Sequence, residues 1–414
     1  MNEAKQKFCL TGLERAWILY DVGNSAFVLL VATLIPIFFN ALAEGGGLSS
    51  VEYLAYWGYA ASAVTVITAV LSPILGTLAD TRNFKKPIFT FCVAVGVIGC
   101  CAMGMASTWL PFLLIFIFAK VGFSGSLVFY DSMLSDVTVP DRMDEVSSKG
   151  YAWGYIGSCV PFVVCLALVL GAGSIGISQM TALNLALFIT AAWWLVTTLP
   201  LLRQYKQVHF VEVREHAIRQ SFARIGHTLR HLKEDRQVFW FLLAFFCYID
   251  GVYTIIDMAT AYGTALGLDT TGLLLALLVT QIVAFPSALV FGRLSGQYPS
   301  GTLIPVCIAA YAGIALFAFF LKHQWQFWVL AVVVGMFQGG IQALSRSHFA
   351  KIIPPEKSGE YFGLFDICGK GASFLGTMIV SVGSQLTGSA NVGVGSLIVL
   401  FIVGFVLFRV SDQK

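Results

Sequence analysis

Apolar stretches about twenty residues long recur twelve times along this chain of 414 residues, and no other feature constrains its fold as tightly. A run of that length coiled as a helix spans a hydrocarbon layer of about 30 Å. Within lipid, only helices and closed barrels satisfy every backbone N–H and C=O group. With 57% hydrophobic and 11% charged residues and a mean hydropathy of +0.81, the chain reads as an all-α polytopic membrane protein. The expected spans are 17–40, 54–79, 87–107, 110–134, 152–172 and 180–201, then 238–262, 271–294, 302–321, 325–346, 361–384 and 392–410. The first run is too long for a signal-peptide core and is expected to be a retained helix.

The polar stretch 203–236 separates two sets of six spans. The expected units are therefore 1–202, a linker at 203–236, and 237–414. Placing the N-terminus in the cytoplasm puts 22 of the 25 lysines and arginines on the inner side, which fixes an even number of spans with both termini cytoplasmic. Lys120 and Lys370 lie inside spans, and Lys322 alone remains outside. A bacterial inner (plasma) membrane is the expected location.

Within the linker, Ile218, Phe222, Ile225, Leu229 and Leu232 recur at alternating spacings of four and three with Arg and His opposite, as in an amphipathic helix lying at the inner membrane surface or against the bundle. His227 and His231 have the spacing of metal ligands, but Arg224 and Arg230 beside them point to a solvated face instead. The nine cysteines are odd in number, form no CxxC pair and lie mostly in apolar runs, as small packing residues do. No metal, cofactor or nucleic-acid partner is expected.

The halves echo one another. GTLAD (76–80) after the second span matches GRLSG (292–296) after the eighth. A loop of proline, acidic and basic residues leading into a Gly/Tyr-rich helix start occurs at Pro140–Gly157 and again at Pro354–Gly369. ILYDVGNSAF (18–27) and FCYIDGVYTI (246–255) each place an aspartate near the start of a half. Repeats in the same orientation imply a pseudo-two-fold axis along the membrane normal, with a cavity between the halves.

Charges inside spans are costly, about 2.5–3.5 kcal/mol each on insertion scales, so they mark cavities, partners or ion pathways. Asp21 and Asn24 share a helical face; Asp21 is either a proton carrier or a carboxylate satisfied by Asn24, Tyr20 or a neighbouring helix. Asp250 and Asp257, seven apart and beside Tyr248 and Tyr253, suggest a cavity wall able to bind a cation or an ammonium group, or partners for an intramembrane lysine. Lys120, far from any loop, needs a carboxylate of the protein or of a solute. Asp131 follows near the inner end as a gate residue. Asp366 and Lys370, four apart, can pair with each other, or Lys370 can join Lys120 in an anion site. Asp80, Arg82, Lys85, Lys86 and Arg346 read as gate residues whose ion pairs form in one state and break in the other. Gln338 and Gln342, with Trp17, Tyr20 and Phe27, are secondary cavity contacts, and Gly335-x-x-x-Gly339 permits close helix approach.

GTLADTRNFKKP (76–87) resembles the loop signature of the major facilitator superfamily, without its usual glycine after the aspartate. LERAWILYDVGNSAF (13–27) is similar to the signature of that superfamily's vacuole-effluxer-like branch, with Val22 and Gly23 in place of Trp-Ala. The stretches 131–157, 245–256 and above all 335–376 carry the same resemblance, which covers essentially the whole chain. It implies twelve helices in two six-helix bundles, usually monomeric, that move a small solute by alternating access. An amino acid or similar zwitterion, coupled to protons through Asp21, Asp250 or Asp257, is the expected cargo. The alternatives are an exporter of amphipathic or toxic compounds and a non-transporting receptor on the same fold. No phosphate-binding loop, HExxH or GxSxG motif points to an enzyme.

Overall fold

The computed structural model describes residues 9–212, 230, 232 and 235–412. The expected amphipathic helix over 218–232 falls almost wholly outside them. Among the described residues, twelve long helices carry the fold. In the first half these are α1 (Gly12–Ala32), α2 (Ser50–Ala79), α3 (Lys85–Met103), α4 (Trp109–Ser132), α5 (Pro140–Leu170) and α6 (Gln179–Gln204). The second half has α7 (Arg236–Ala265), α8 (Thr270–Leu294), α9 (Ser300–Ala318), α10 (Gln324–Ile352), α11 (Ser358–Thr387) and α12 (Ile398–Asp412). Among the described residues, eleven spans are long and apolar enough to cross a membrane. The 30-residue α11, which carries Glu360 and Asp366, occupies the place of the eleventh expected span.

Local sequence explains the helix ends. The first helix starts at Gly12, earlier than the apolar run, because Thr11 and Glu14 form a reciprocal capping box. The first span breaks at Thr33 and resumes as a helix over Leu34–Gly45. Pro36 has no N–H to continue the ladder and crowds the carbonyl four residues earlier. Hydropathy places the start of α5 at 152, yet the helix begins twelve residues earlier at Pro140, a residue preset for the first helical turn. The polar residues Asp144, Ser147 and Ser148 in that extension are buried against the other half, so a hydropathy scan mistakes an interface for a loop.

In the first half α1 packs on α5 and α6, and α3 on α4; in the second α7 packs on α11 and α12, and α8 on α10. A Cβ on Gly335 would lie 2.7 Å from the Thr280 carbonyl, and one on Gly339 2.7 Å from Ala288 Cβ, so this glycine pair seats α10 on α8. The halves meet through α2–α11, α5–α8 and α5–α10. The sequence repeat reappears in these contacts: a Cβ on Gly76 would strike the Gly359 carbonyl, and one on Gly292 would come within 2.8 Å of Ser148 Cβ.

Candidate functional site

Arg346, on α10 of the second half, is 2% exposed and reaches into the first half. Its Nη1 lies 3.0 Å from Asp131 Oδ1 on α4 and 3.6 Å from Asp21 Oδ2 on α1. Its Nε donates to Ser147 Oγ at 2.9 Å and its Nη2 to the Ser147 carbonyl at 3.0 Å, both on α5. The guanidinium also stacks over Trp17 at 4.7 Å and Tyr151 at 4.3 Å. A planar, five-donor cation can meet two carboxylates, a backbone carbonyl and two aromatic faces at once, as an ammonium cannot. Asn24 Nδ2 donates to Asp21 Oδ1 at 3.4 Å, while Asp21 Oδ2 is buried with no hydrogen bond. Gly150 makes this approach possible: a Cβ there would lie 3.0 Å from Asp21 Oδ2 and 3.1 Å from Arg346 Nη2.

Next to this cluster, polar side chains near the middle of spans are open rather than packed. Asp257 on α7 is exposed, and Lys120 on α4, Tyr253 on α7 and Gln342 on α10 are half-buried. Lys120 lies over the Phe123 ring at 4.7 Å, and its charge reaches Asp257 in the opposite half. Tyr155 donates to Gln342 at 2.9 Å, and Ser72 to Asp366 at 2.7 Å, each across the boundary. Charges kept at mid-span are the mark of a polar cavity, and Lys120 and Asp257 stand on opposite sides of the boundary between the halves.

At the end that carries the basic loops, the halves are tied together. Asp80 at the end of α2 accepts the N–H groups of Gly359 and Glu360 at 2.7 and 2.8 Å, where the first turn of α11 presents free donors. Lys85 donates to Ser358 at 2.8 Å and lies 3.7 Å from Asp80 and 3.8 Å from Asp136. Asp144 on α5 accepts from Ser347 and Lys351 of α10, both at 2.6 Å. Burial pushes the Asp80 carboxyl up to about 7, against the pull of Lys85 and the two amides. Arg82 is exposed and pairs with Glu212 of the linker at 3.3 Å rather than with the other half, and Lys86 is half-buried beside it.

Several residues singled out from the sequence lie away from that cavity. Tyr248 is fully buried within the second half, sharing a hydrogen bond with Ser345 at 2.6 Å. Asp250 does not share an opening with Asp257. Both its oxygens accept the Gly376 N–H at 2.9 Å and one accepts from Thr254, inside the second bundle. Gln338 lines, with Thr254 and Thr280, an apolar cavity in the interior of that bundle. The Lys370 side chain lies outside the described residues, and Asp366 bonds Ser72. Tyr151, Tyr155, Asp144 and Asp136 carry no individual signal in the sequence, although the stretch 131–157 that contains them does. Among the described residues, no group of three His, Cys, Asp or Glu side chains could hold a metal.

The sequence matches the family described as vacuole effluxer Atg22 like over residues 13–141 and 135–414. It is 42% identical to the MFS-type transporter YxiO of Bacillus subtilis over 98% of this chain and 96% of that protein. It is 25% identical to autophagy-related protein 22 of Saccharomyces cerevisiae over 66% of this chain and 59% of that protein, so it spans little more than half of the yeast relative. Among solved structures, it is similar to the transporter FucP in the outward conformation, with a TM-score of 0.74 and 16% identity over 97% of this chain and 98% of FucP. The human organic anion transporter MFSD10 is similar with a TM-score of 0.72 and 14% identity, over 96% of this chain and 98% of that one.

Proposed function

The chain belongs to the vacuole effluxer Atg22-like family of major facilitator transporters, and from that premise we propose that it moves a small zwitterionic solute, an amino acid or a close relative, by proton-coupled alternating access. What supports this reading is the placement of Lys120 and Asp257 at mid-span in opposite halves, near enough for their charges to interact. A free amino acid presents a carboxylate to the first and an ammonium to the second, replacing their mutual attraction with two charge-assisted contacts. Because the two residues belong to opposite halves, bound solute draws the halves together on that side. Tyr253, Gln342 and Tyr151 supply neutral polar contacts.

Proton coupling rests on Arg346. Two carboxylates share one guanidinium, and Asp21 Oδ2 has no donor of its own. A proton delivered to this pair leaves Arg346 with a single anion and weakens its hold on the first half. With the basic end taken as cytoplasmic, the conformation described here is closed inside and its cleft faces outward.

The test is flux of a panel of radiolabelled amino acids in proteoliposomes. Asp21→Asn should retain solute exchange at equal pH on both sides yet lose accumulation driven by a pH gradient. Full gradient-driven accumulation by that variant would sink the coupling scheme.

A further inference from the structure

The segment that leaves α6 makes more hydrogen bonds to the first half than a simple connector needs. Asp136 lies in the short helix Leu134–Val137 after α4. It accepts from the Tyr205 hydroxyl, from the N–H groups of Val208 and His209 at 3.3 and 2.9 Å, and has His209 Nδ1 at 2.9 Å. The same segment lies along the turn between α2 and α3. Gln207 Nε2 donates to the Ala79 carbonyl at 3.1 Å, and Val211 N–H to the Asp80 carbonyl at 2.7 Å. Val211 also forms a parallel bridge with Thr81, and Arg82 lies 5.1 Å over the Phe210 ring. Asp80, the carboxylate that caps α11, is therefore held at its backbone by the linker and at its side chain by the other half.

Lys85 links these contacts. It is fully buried and serves three oxygens: Ser358 of the second half at 2.8 Å, Asp80 at 3.7 Å and Asp136 at 3.8 Å. A buried carboxylate must be met by donors or a counter-charge, and Asp136 has both, the hydrogen bonds of the linker and the Lys85 ammonium at 3.8 Å. Each linker donor removed from Asp136 increases its demand on Lys85, at the expense of Ser358 and Asp80, which hold the halves together.

We propose that Tyr205–Glu212 is a latch that sets how firmly the basic end closes, by saturating Asp136 and so leaving Lys85 to the opposite half. This role rests on the reading of the chain as an alternating-access transporter. Tyr205, His209 and Asp136 are positioning residues in it: they touch no solute and act through Lys85. The latch lies wholly on the first half, so it biases the equilibrium only through the Lys85 contacts that exist when the end is closed.

Opposite signs make the proposal testable. Removing a linker donor should open the basic end, whereas Asp136→Asn, which frees Lys85 from its competing anion, should close it further. The measurement is the distance between spin labels at Asp141 and Glu356, both exposed at the basic end on opposite halves, by pulsed electron resonance on the full chain with Cys9→Ser, in lipid nanodiscs without solute.

Tyr205→Phe and His209→Gln should each raise the open fraction roughly 3- to 10-fold, the weight of one hydrogen bond. Asp136→Asn should lower it, and Asp136→Asn combined with His209→Gln should match Asp136→Asn alone. An unchanged distribution in both linker variants, or opening by Asp136→Asn, overturns the latch. Tyr205→Phe removes one hydroxyl only, so an arm survives if a bulkier change prevents folding. No solute enters the assay, so its failure is separable from failure of the proposed transport.

Discussion

Asp131 and Arg346 lie 3.0 Å apart across the boundary between the two halves, and Asp21 approaches the same guanidinium at 3.6 Å. One buried cation thus answers to two anions on two different helices of the opposite half. Arg346→Met would leave both carboxylates without it; removing one partner of a buried pair costs about 3–5 kcal/mol. Solute exchange in proteoliposomes should fall more than about 100-fold, since that energy is lost from one side of the cycle only. Arg346→Lys keeps the charge but loses the fork and the stacking on Trp17 and Tyr151, and should fall about 10-fold. Equal activity of the two variants would show that geometry at this residue does not matter.

Gly150 tests the same cluster without changing a charge. A methyl group there meets Asp21 Oδ2 and Arg346 Nη2 at 3.0 and 3.1 Å, so one of the two must move by a few tenths of an ångström. Gly150→Ala should lower gradient-driven accumulation about 3- to 10-fold, the weight of one weakened contact, while exchange at equal pH changes less. An equal loss in both assays would point to general misfolding, which a thermal unfolding scan would reveal.

Asp80 predicts how the closed state responds to pH. In the closed state burial pushes its carboxyl up to about 7, whereas a hydrated aspartate titrates near 3.9. The closed state therefore binds the proton more tightly than an open, hydrated one. Closure is favoured by protonation below the hydrated value and loses that contribution as pH rises through about 7. Distances between labels at the basic ends of the halves should lengthen between pH 6 and pH 8 in the parent protein and stay fixed in Asp80→Asn.

The helical fold is legible in the sequence because hydrocarbon length and backbone satisfaction leave few solutions to a chain with twelve apolar runs. The extension of α5 back to Pro140 is not, since Asp144 and Ser147 look like loop residues until the partner surface that satisfies them is known. The site is legible in part. Asp131, Lys120 and Asp257 stand out as charges in apolar runs, and Asp80, Lys85 and Arg346 as gate residues. Helical spacing alone put Asp250 on the same wall as Asp257, yet Asp250 turns to the Gly376 amide of α11, a backbone partner that no side-chain pattern encodes. The position of Tyr248 beside Asp250 suggests a cavity residue, and packing against α10 buries it instead. Asp136 gave no sign because its importance comes from the linker that folds back on it.

The most direct test of the central claim is ligand stabilisation of the purified protein. A solute that binds the folded state at 100 times its Kd adds about 2.7 kcal/mol to stability. Thermal unfolding should be screened against free amino acids, each beside its amine and carboxylic-acid analogues that lack one charge. The expected result is a raised midpoint with at least one amino acid, little or no rise with either analogue, and loss of the rise in both Lys120→Met and Asp257→Asn. A rise that survives in both variants, or one produced only by singly charged or uncharged amphipathic compounds, would contradict a zwitterion held between Lys120 and Asp257.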